Sequence, residues 1–174
     1  MSEKKVLVFG LDCATPQLIF DKWRSQLPAL SSLMEKGSWG KLKSCVPPST
    51  VPAWSCMLSG KNPGKLGCYG FWNRSDYSYQ GLSFATSSTV REDRVWDILS
   101  RQGMNVILVG IPQTYPPTPV KGIMVTCFLT PDTTCQYTYP KELADEIETR
   151  IGKYMLDVDN FRTDDKDLLL QQIY

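Results

Sequence analysis

The stretch that decides the fold class is Lys5-Val6-Leu7-Val8-Phe9-Gly10. It is a continuous apolar run that ends at a glycine, a pattern typical of a strand buried on both faces of a parallel sheet. Two similar runs, at 104–110 and 122–128, predict two further strands. Because helical patterns separate these runs, we expect an α/β fold whose mostly parallel sheet is flanked by helices.

Prolines and glycines mark the ends of the predicted helices. The clearest case begins at Pro28 and is closed by Gly37. The other predicted helices cover residues 15–25, 52–58, 90–102, 140–151 and 164–174. A short strand is predicted at 39–43, and the four prolines of the 112–119 segment predict an extended loop.

Composition excludes several classes of protein. Hydrophobic residues make up 42% of the 174 residues and the net charge is +1, so no broad field would attract a nucleic acid polymer or an anionic membrane. The first apolar run is too short for a membrane span or a signal peptide, and we expect a cytoplasmic protein. The six cysteines form no C-x-x-C pair, which predicts reduced thiols rather than a zinc knuckle.

Asp12 follows the first predicted strand. Ligands of open α/β folds bind at the carboxyl ends of the strands, and a carboxylate there can hold a divalent cation. Asp12 is therefore a candidate metal ligand. The alternative is that it caps the helix that begins near Thr15.

Thr50 lies at a junction between a proline-rich loop and a helix, in Pro47-Pro48-Ser49-Thr50-Val51-Pro52. The start of a helix offers unpaired N–H groups and a positive dipole end, which suit a phosphate oxygen. A hydroxyl at this point could attack phosphorus if a metal stabilised its alkoxide. The alternative is that Ser49 or Thr50 only caps the helix.

Two weaker patterns point elsewhere. Cys45-Val46-Pro47-Pro48-Ser49 is similar to the sulfatase motif, but Ser49 stands where that motif has arginine, which disfavours conversion of Cys45 to formylglycine. Residues 60–65 are similar to a phosphate-binding loop, but Leu66 follows Lys65 where the loop requires Ser or Thr.

Several segments, taken in order, resemble the type I phosphodiesterase/nucleotide pyrophosphatase family of the alkaline phosphatase superfamily. The family pattern is a strand followed by G-x-D-G-x-T, then L-P-x-L-x-x-L-x-x-x-G, then P-P-x-T-x-P-A-W and T-G-x-x-P-G. The matching segments are 6–16, 27–30, 33–37, 47–54, 59–64, Gly67 and Phe71. Beyond them only the alternation of strands and helices agrees.

The resemblance implies an alkaline phosphatase-like fold with two divalent metal ions, zinc first and manganese as the alternative. Carried over by position, Asp12 would ligate a metal, and Thr50 would touch a metal and attack phosphorus to form a covalent phospho-threonine. The remaining Asp and His ligands lie in the C-terminal half of family members, and this chain has no histidine. We therefore expect residues 1–174 to be the N-terminal part of one catalytic domain, truncated at the C-terminus and inactive alone.

The implied substrate is a small-molecule phosphate ester, with nucleotides among the candidates; the oligomeric state is not indicated. Departures from the family pattern weaken the case for a nucleotide. Cys13 replaces the usual Gly, Ser59 replaces Thr, Leu66 replaces His, and Ala53 stands where the pyrophosphatases carry Asn. Two alternatives stay open: a non-catalytic relative that binds a ligand or partner, and another superfamily member such as a phosphomutase.

Overall fold

A computed structural model of the chain describes residues 5–76 and 78–173. These residues form two units, the first ending at Ser44 and the second beginning at Cys45. The first unit contains a π-helical segment Gln17–Lys22, a short 3-10 helix Arg24–Gln26 and the helix α1, Pro28–Lys36.

Helix α1 has the bounds that its sequence predicts. Pro28 occupies its first turn, and the Gly37 amide closes it by donating to the Leu33 carbonyl at 2.8 Å. The Ser31 hydroxyl donates to the Arg24 carbonyl at 2.6 Å and so joins α1 to the 3-10 helix. The predicted helix at 15–25 is present as the π-helical and 3-10 segments instead of one α-helix.

The strand predicted at 5–10 is wrong. These residues are in no strand, and Val6 and Leu7 are each 88% exposed. The short strand predicted at 39–43 is likewise absent from the described residues. An apolar run shows a tendency toward burial, but a strand forms only where a second strand offers its N–H and C=O groups.

The second unit begins with helices α2, Thr50–Ser59, and α3, Pro63–Leu66. Gly60 ends α2 in the left-handed conformation, with φ 68° and ψ 18°, as the predicted C-terminal glycine should. An antiparallel hairpin follows, made of β1, Trp72–Arg74, and β2, Leu82–Phe84. Trp72 and Phe84 face each other across it, with ring centroids 5.0 Å apart.

The second unit also holds a three-stranded sheet in the order β3-β4-β5. Its strands are β3, Val106–Val109, β4, Gly122–Val125, and β5, Thr138–Tyr139. β3 and β4 run parallel, and β4 and β5 run antiparallel. The strands predicted near 104–110 and 122–128 are thus confirmed in shorter form. The fold is mixed α/β, with one parallel pair among the described strands where a mostly parallel sheet was expected.

Three more helices complete the second unit: α4, Val95–Arg101, α5, Leu143–Ile151, and α6, Lys166–Ile173. Helix α4 starts later than its predicted residue 90 because the Asp97 carboxylate accepts from the Arg94 amide at 2.9 Å and fixes the helix start there. None of the helices in the described part of the chain is long and apolar enough to cross a membrane.

Helix α2 contacts two apolar clusters of the second unit. The first cluster surrounds Val51 near the start of the helix, and the second receives Leu58 near its end. The buried members are Val51, Leu66, Cys68, Ala85 and Val90 in the first, and Trp96, Val106, Val120 and Met124 in the second. Complete burial of a side chain such as Val51 contributes about 1.5–3 kcal/mol, so α2 is held firmly at both ends.

Candidate functional site

Thr50 is the first residue of α2 and is partly exposed. Ser49 precedes it in an extended conformation, and the Ser49 side chain makes no capping hydrogen bond to the helix. The first intrahelical bond runs from the Ala53 amide to the Ser49 carbonyl, at 2.9 Å. The amides of Thr50 and Val51 therefore lie in the first turn of the helix, at the positive end of its dipole.

The residues immediately after Thr50 hold the helix start in place. Val51 and Pro52 are fully buried, and Ser55 is 5% exposed. The Ser55 hydroxyl donates back to the Val51 carbonyl at 2.7 Å. In the loop before the helix, the Cys45 thiol donates to the Pro47 carbonyl at 3.2 Å. Thr50 is therefore presented at the surface from a backbone that is anchored on both sides.

Asp12 lies in an exposed turn of the first unit. Cys13, the next residue, has φ 58°, and its thiol contacts the Asp12 carboxylate at 3.7 Å. The negative charge of Asp12, together with burial, raises the pKa of the Cys13 thiol. Asp12 belongs to the first unit and Thr50 to the second.

The two predicted metal ligands both offer oxygen atoms, which suit a divalent cation, but two ligands are too few to form a metal site. Asp12 offers a carboxylate and Thr50 a hydroxyl, both oxygen donors. A zinc site needs about four ligands. Within 5–76 and 78–173, no group of three or more His, Cys, Asp or Glu residues could hold a metal ion. The described residues alone therefore do not fit a two-metal centre.

A buried polar cluster beneath α2 was missed by sequence reasoning. It consists of Ser55 on the helix, Cys68 after α3, Asn73 on β1 and Gln113 in the loop after β3, all at most 7% exposed. The Ser55 hydroxyl is hydrogen-bonded to the Gln113 side-chain oxygen, and the Gln113 Nε2 donates to the Cys68 sulfur at 3.5 Å. Burial raises the pKa of the Cys68 thiol, although its polar neighbours partly oppose that shift.

Cys56 lies on α2 beside the first apolar cluster. Burial, and then the neighbouring Cys45, raises the pKa of its thiol to about 11. A thiol with so high a pKa is protonated at neutral pH, and only a thiolate is a good nucleophile or metal ligand. Cys56 is therefore a poor nucleophile and a poor metal ligand at neutral pH.

The chain matches the model of a known protein family. The family model described as type I phosphodiesterase / nucleotide pyrophosphatase matches residues 6–172. No curated protein and no solved structure gives a significant match. The match covers both units, whereas the motifs that carry the resemblance in the sequence end near Phe71.

Proposed function

Because the chain belongs to the type I phosphodiesterase / nucleotide pyrophosphatase family, we propose that it supplies the nucleophile and the first metal ligand of a metal-dependent phosphoesterase. The family acts on small phosphate esters or nucleotides and is generally metal-dependent. Within this frame, Thr50 is the nucleophile and Asp12 is a metal ligand.

The observation that carries the proposal is the position of Thr50 at the start of α2. The positive end of the helix dipole favours a negatively charged phosphoryl group at that point. Buried Val51 and Pro52 fix the backbone behind the hydroxyl, so the attacking oxygen needs little reorganisation. The same threonine occupies the position of Thr in the family pattern P-P-x-T-x-P-A-W.

The reaction has two displacement steps. In the first, the Thr50 oxygen loses its proton and forms a bond to phosphorus, while the bond from phosphorus to the leaving-group oxygen breaks. The leaving group departs as an alcohol or a phosphate once it takes up a proton. In the second, water attacks phosphorus and gives up a proton, the bond from phosphorus to the Thr50 oxygen breaks, and that oxygen takes up a proton. Phosphate or a phosphate monoester is released, and the Thr50 hydroxyl is restored.

Two divalent ions, zinc or alternatively manganese, would supply Lewis acidity for this chemistry. Asp12 would ligate one of these ions, and the Thr50 oxygen would contact a metal ion as it attacks phosphorus. On this proposal the chain is the N-terminal part of an alkaline phosphatase-like catalytic domain. Its own contribution is to present the hydroxyl and one carboxylate, and the chain alone is inactive.

Hydrolysis of bis-p-nitrophenyl phosphate tests the nucleophile in the full-length protein. Thr50→Ala should lower kcat by on the order of 10³-fold or more, because the covalent route is lost. Thr149→Ala is the matched control, since Thr149 is an exposed threonine that donates only to the Asp145 carbonyl of its own helix. Equal rates for wild type and Thr50→Ala would refute the assignment. Mass spectrometry of quenched enzyme should find the phosphoryl group on the Thr50 peptide.

Metal content tests the ligand. Asp12→Asn should lower the zinc or manganese bound by the full-length protein, because an amide binds these ions more weakly than a carboxylate. Asp21→Asn removes another exposed carboxylate of the same unit and should leave metal content unchanged. A full-length protein that stays metal-free after both metals are offered would favour the non-catalytic binding relative.

A further inference from the structure

We propose that Gln113 is a positioning residue that holds the Thr50 helix in its reactive orientation. The inference rests on the proposed function, because it concerns how the nucleophile is held. Gln113 is 3% exposed, lies 58 residues from Ser55 in sequence and reaches α2 through its side-chain amide.

The loop that carries Gln113 is tied to the sheet. It leaves β3 at Gly110, whose amide donates to the Val125 carbonyl at 3.0 Å as β4 ends. Thr114 is 1% exposed, and its hydroxyl donates to the Ile111 carbonyl at 2.7 Å and closes the turn around Gln113. Movements of this turn are therefore coupled to the parallel pair β3–β4.

Gln113 adopts the left-handed backbone conformation, with φ 63°. A residue other than glycine rarely takes this conformation unless the surrounding structure determines it, and such residues cluster at functional sites. Here the conformation turns a side chain of the loop inward, beneath the helix.

The inward side-chain amide of Gln113 forms hydrogen bonds that join α2 to the segment after α3. Ser55 has one hydroxyl proton, and both the Val51 carbonyl and the Gln113 oxygen face it. If the Gln113 side-chain amide is rotated by 180°, the Gln113 NH2 group donates to the Ser55 oxygen, and the Ser55 hydroxyl donates to the Val51 carbonyl. The Gln113 oxygen then accepts from the Cys68 thiol. In that orientation every donor among these groups faces an acceptor. In either orientation one amide connects α2 to the segment after α3.

The hydrogen bond between Ser55 and Gln113 fixes the orientation of α2, which apolar packing alone does not do. Val51 and Leu58 hold α2 by apolar packing, which depends on buried area and hardly on direction. A hydrogen bond at Ser55 is directional and acts about one and a half turns from Thr50 on the same helix. Loss of the amide should let α2 shift by a fraction of an ångström to an ångström. Misplacement of a reacting atom by about 1 Å can cost about 100-fold in rate.

The alternative reading is that Gln113 only fills interior space. Gln113→Met separates the two, because methionine has similar length and is apolar. A positioning role predicts that kcat of the full-length protein falls by about 100-fold while KM changes less than about threefold. Thr126→Val is the control: Thr126 is 1% exposed, and its hydroxyl bonds to Thr130 and to the Tyr137 carbonyl, with no bond to Gln113 or Ser55 among the described contacts. It should cost similar stability and leave kcat unchanged.

A double-mutant cycle localises the effect. If the amide acts through Ser55, Ser55→Ala and Gln113→Met should each lower kcat, and the double variant should be no slower than Gln113→Met alone. If the fold-losses in kcat of the two single variants multiply in the double variant, Gln113 does not act through Ser55, and the proposal is overturned. Hydrogen exchange should also show faster exchange of the α2 amides in Gln113→Met than in Thr126→Val.

The outcomes distinguish this inference from the proposed function. Unchanged kcat in Gln113→Met, or equal losses in Gln113→Met and Thr126→Val, would overturn the positioning role while Thr50→Ala still reports on the nucleophile. A fully active Thr50→Ala would overturn both. Slow kcat in Gln113→Met, with an unchanged control and faster exchange confined to α2, would support the assignment.

Discussion

Gly122 begins β4 opposite Val106 of β3 and is the most demanding position in the parallel pair. Its φ of 137° lies where residues with a side chain are strained. A Cβ at this position would overlap the Val106 carbonyl oxygen and lie 2.9 Å from the Val106 carbonyl carbon and nitrogen. Because these are backbone atoms of a paired strand, they cannot rotate away as a side chain would.

Gly122→Ala should therefore incur two separate costs. The backbone conformation contributes about 1–3 kcal/mol. Relief of the overlap through a shift of β3 contributes another 1–3 kcal/mol, about the cost of overpacking a core. The expected loss of unfolding free energy is about 4 kcal/mol, a large part of the roughly 5–15 kcal/mol that stabilises a typical domain.

Urea denaturation followed by tryptophan fluorescence measures the loss, since Trp96 lies in the cluster that packs on these strands. Gly60→Ala is the matched control: Gly60 has φ 68°, but a Cβ there meets nothing within 4 Å, so only the backbone term of about 1–2 kcal/mol should appear. Gly40→Ala, also in open space, should change stability by less than about 0.5 kcal/mol. A Gly122→Ala protein no less stable than Gly60→Ala would refute the close approach of the two strands.

Two further predictions concern cysteines. Cys13 has φ 58°, so Cys13→Gly should stabilise the first unit by up to about 1 kcal/mol in urea titration, whereas Cys13→Ala should not; equal effects would contradict the strain. The Cys56 thiol has an ordinary pKa of 9.0 and a folded pKa of about 11, so unfolding releases a proton between these pH values. Wild type should keep its full stability below pH 9 and lose stability relative to Cys56→Ala as the pH rises toward 11; a difference that does not vary with pH would contradict this.

The helices were the most predictable part of the fold, because their signals are local. Pro28 and Gly37 bound α1 as predicted, and Gly60 ends α2 in the conformation that favours glycine. Helix α4 shows the limit of such signals: its apolar pattern predicts a start at residue 90, but the bond between Arg94 and Asp97 sets the start at Val95.

Strands were less predictable because their partners lie far away in sequence. The runs before Gly110 and after Gly122 both became strands, since each pairs with the other across β3–β4. The equally apolar run at 5–10 has no such partner among the described strands and stays exposed. Hydropathy alone does not separate the two cases, because backbone pairing is a property of two segments and apolar character is a property of one.

The same distinction applies to the candidate site. Thr50 could be selected from sequence because the features that mark it are within a few residues: the loop prolines and the helix start. Gln113 could not, since its contact with Ser55 spans 58 residues and a glutamine between a proline and a threonine carries no motif. Under the proposed function, local sequence thus identifies the nucleophile, and tertiary contacts determine how tightly it is held. On that basis, removal of the hydroxyl should be far more damaging than removal of the amide: on the order of 10³-fold or more for Thr50→Ala, against about 100-fold for Gln113→Met. The reverse order would mean that the buried cluster, rather than the helix start, is the reactive centre.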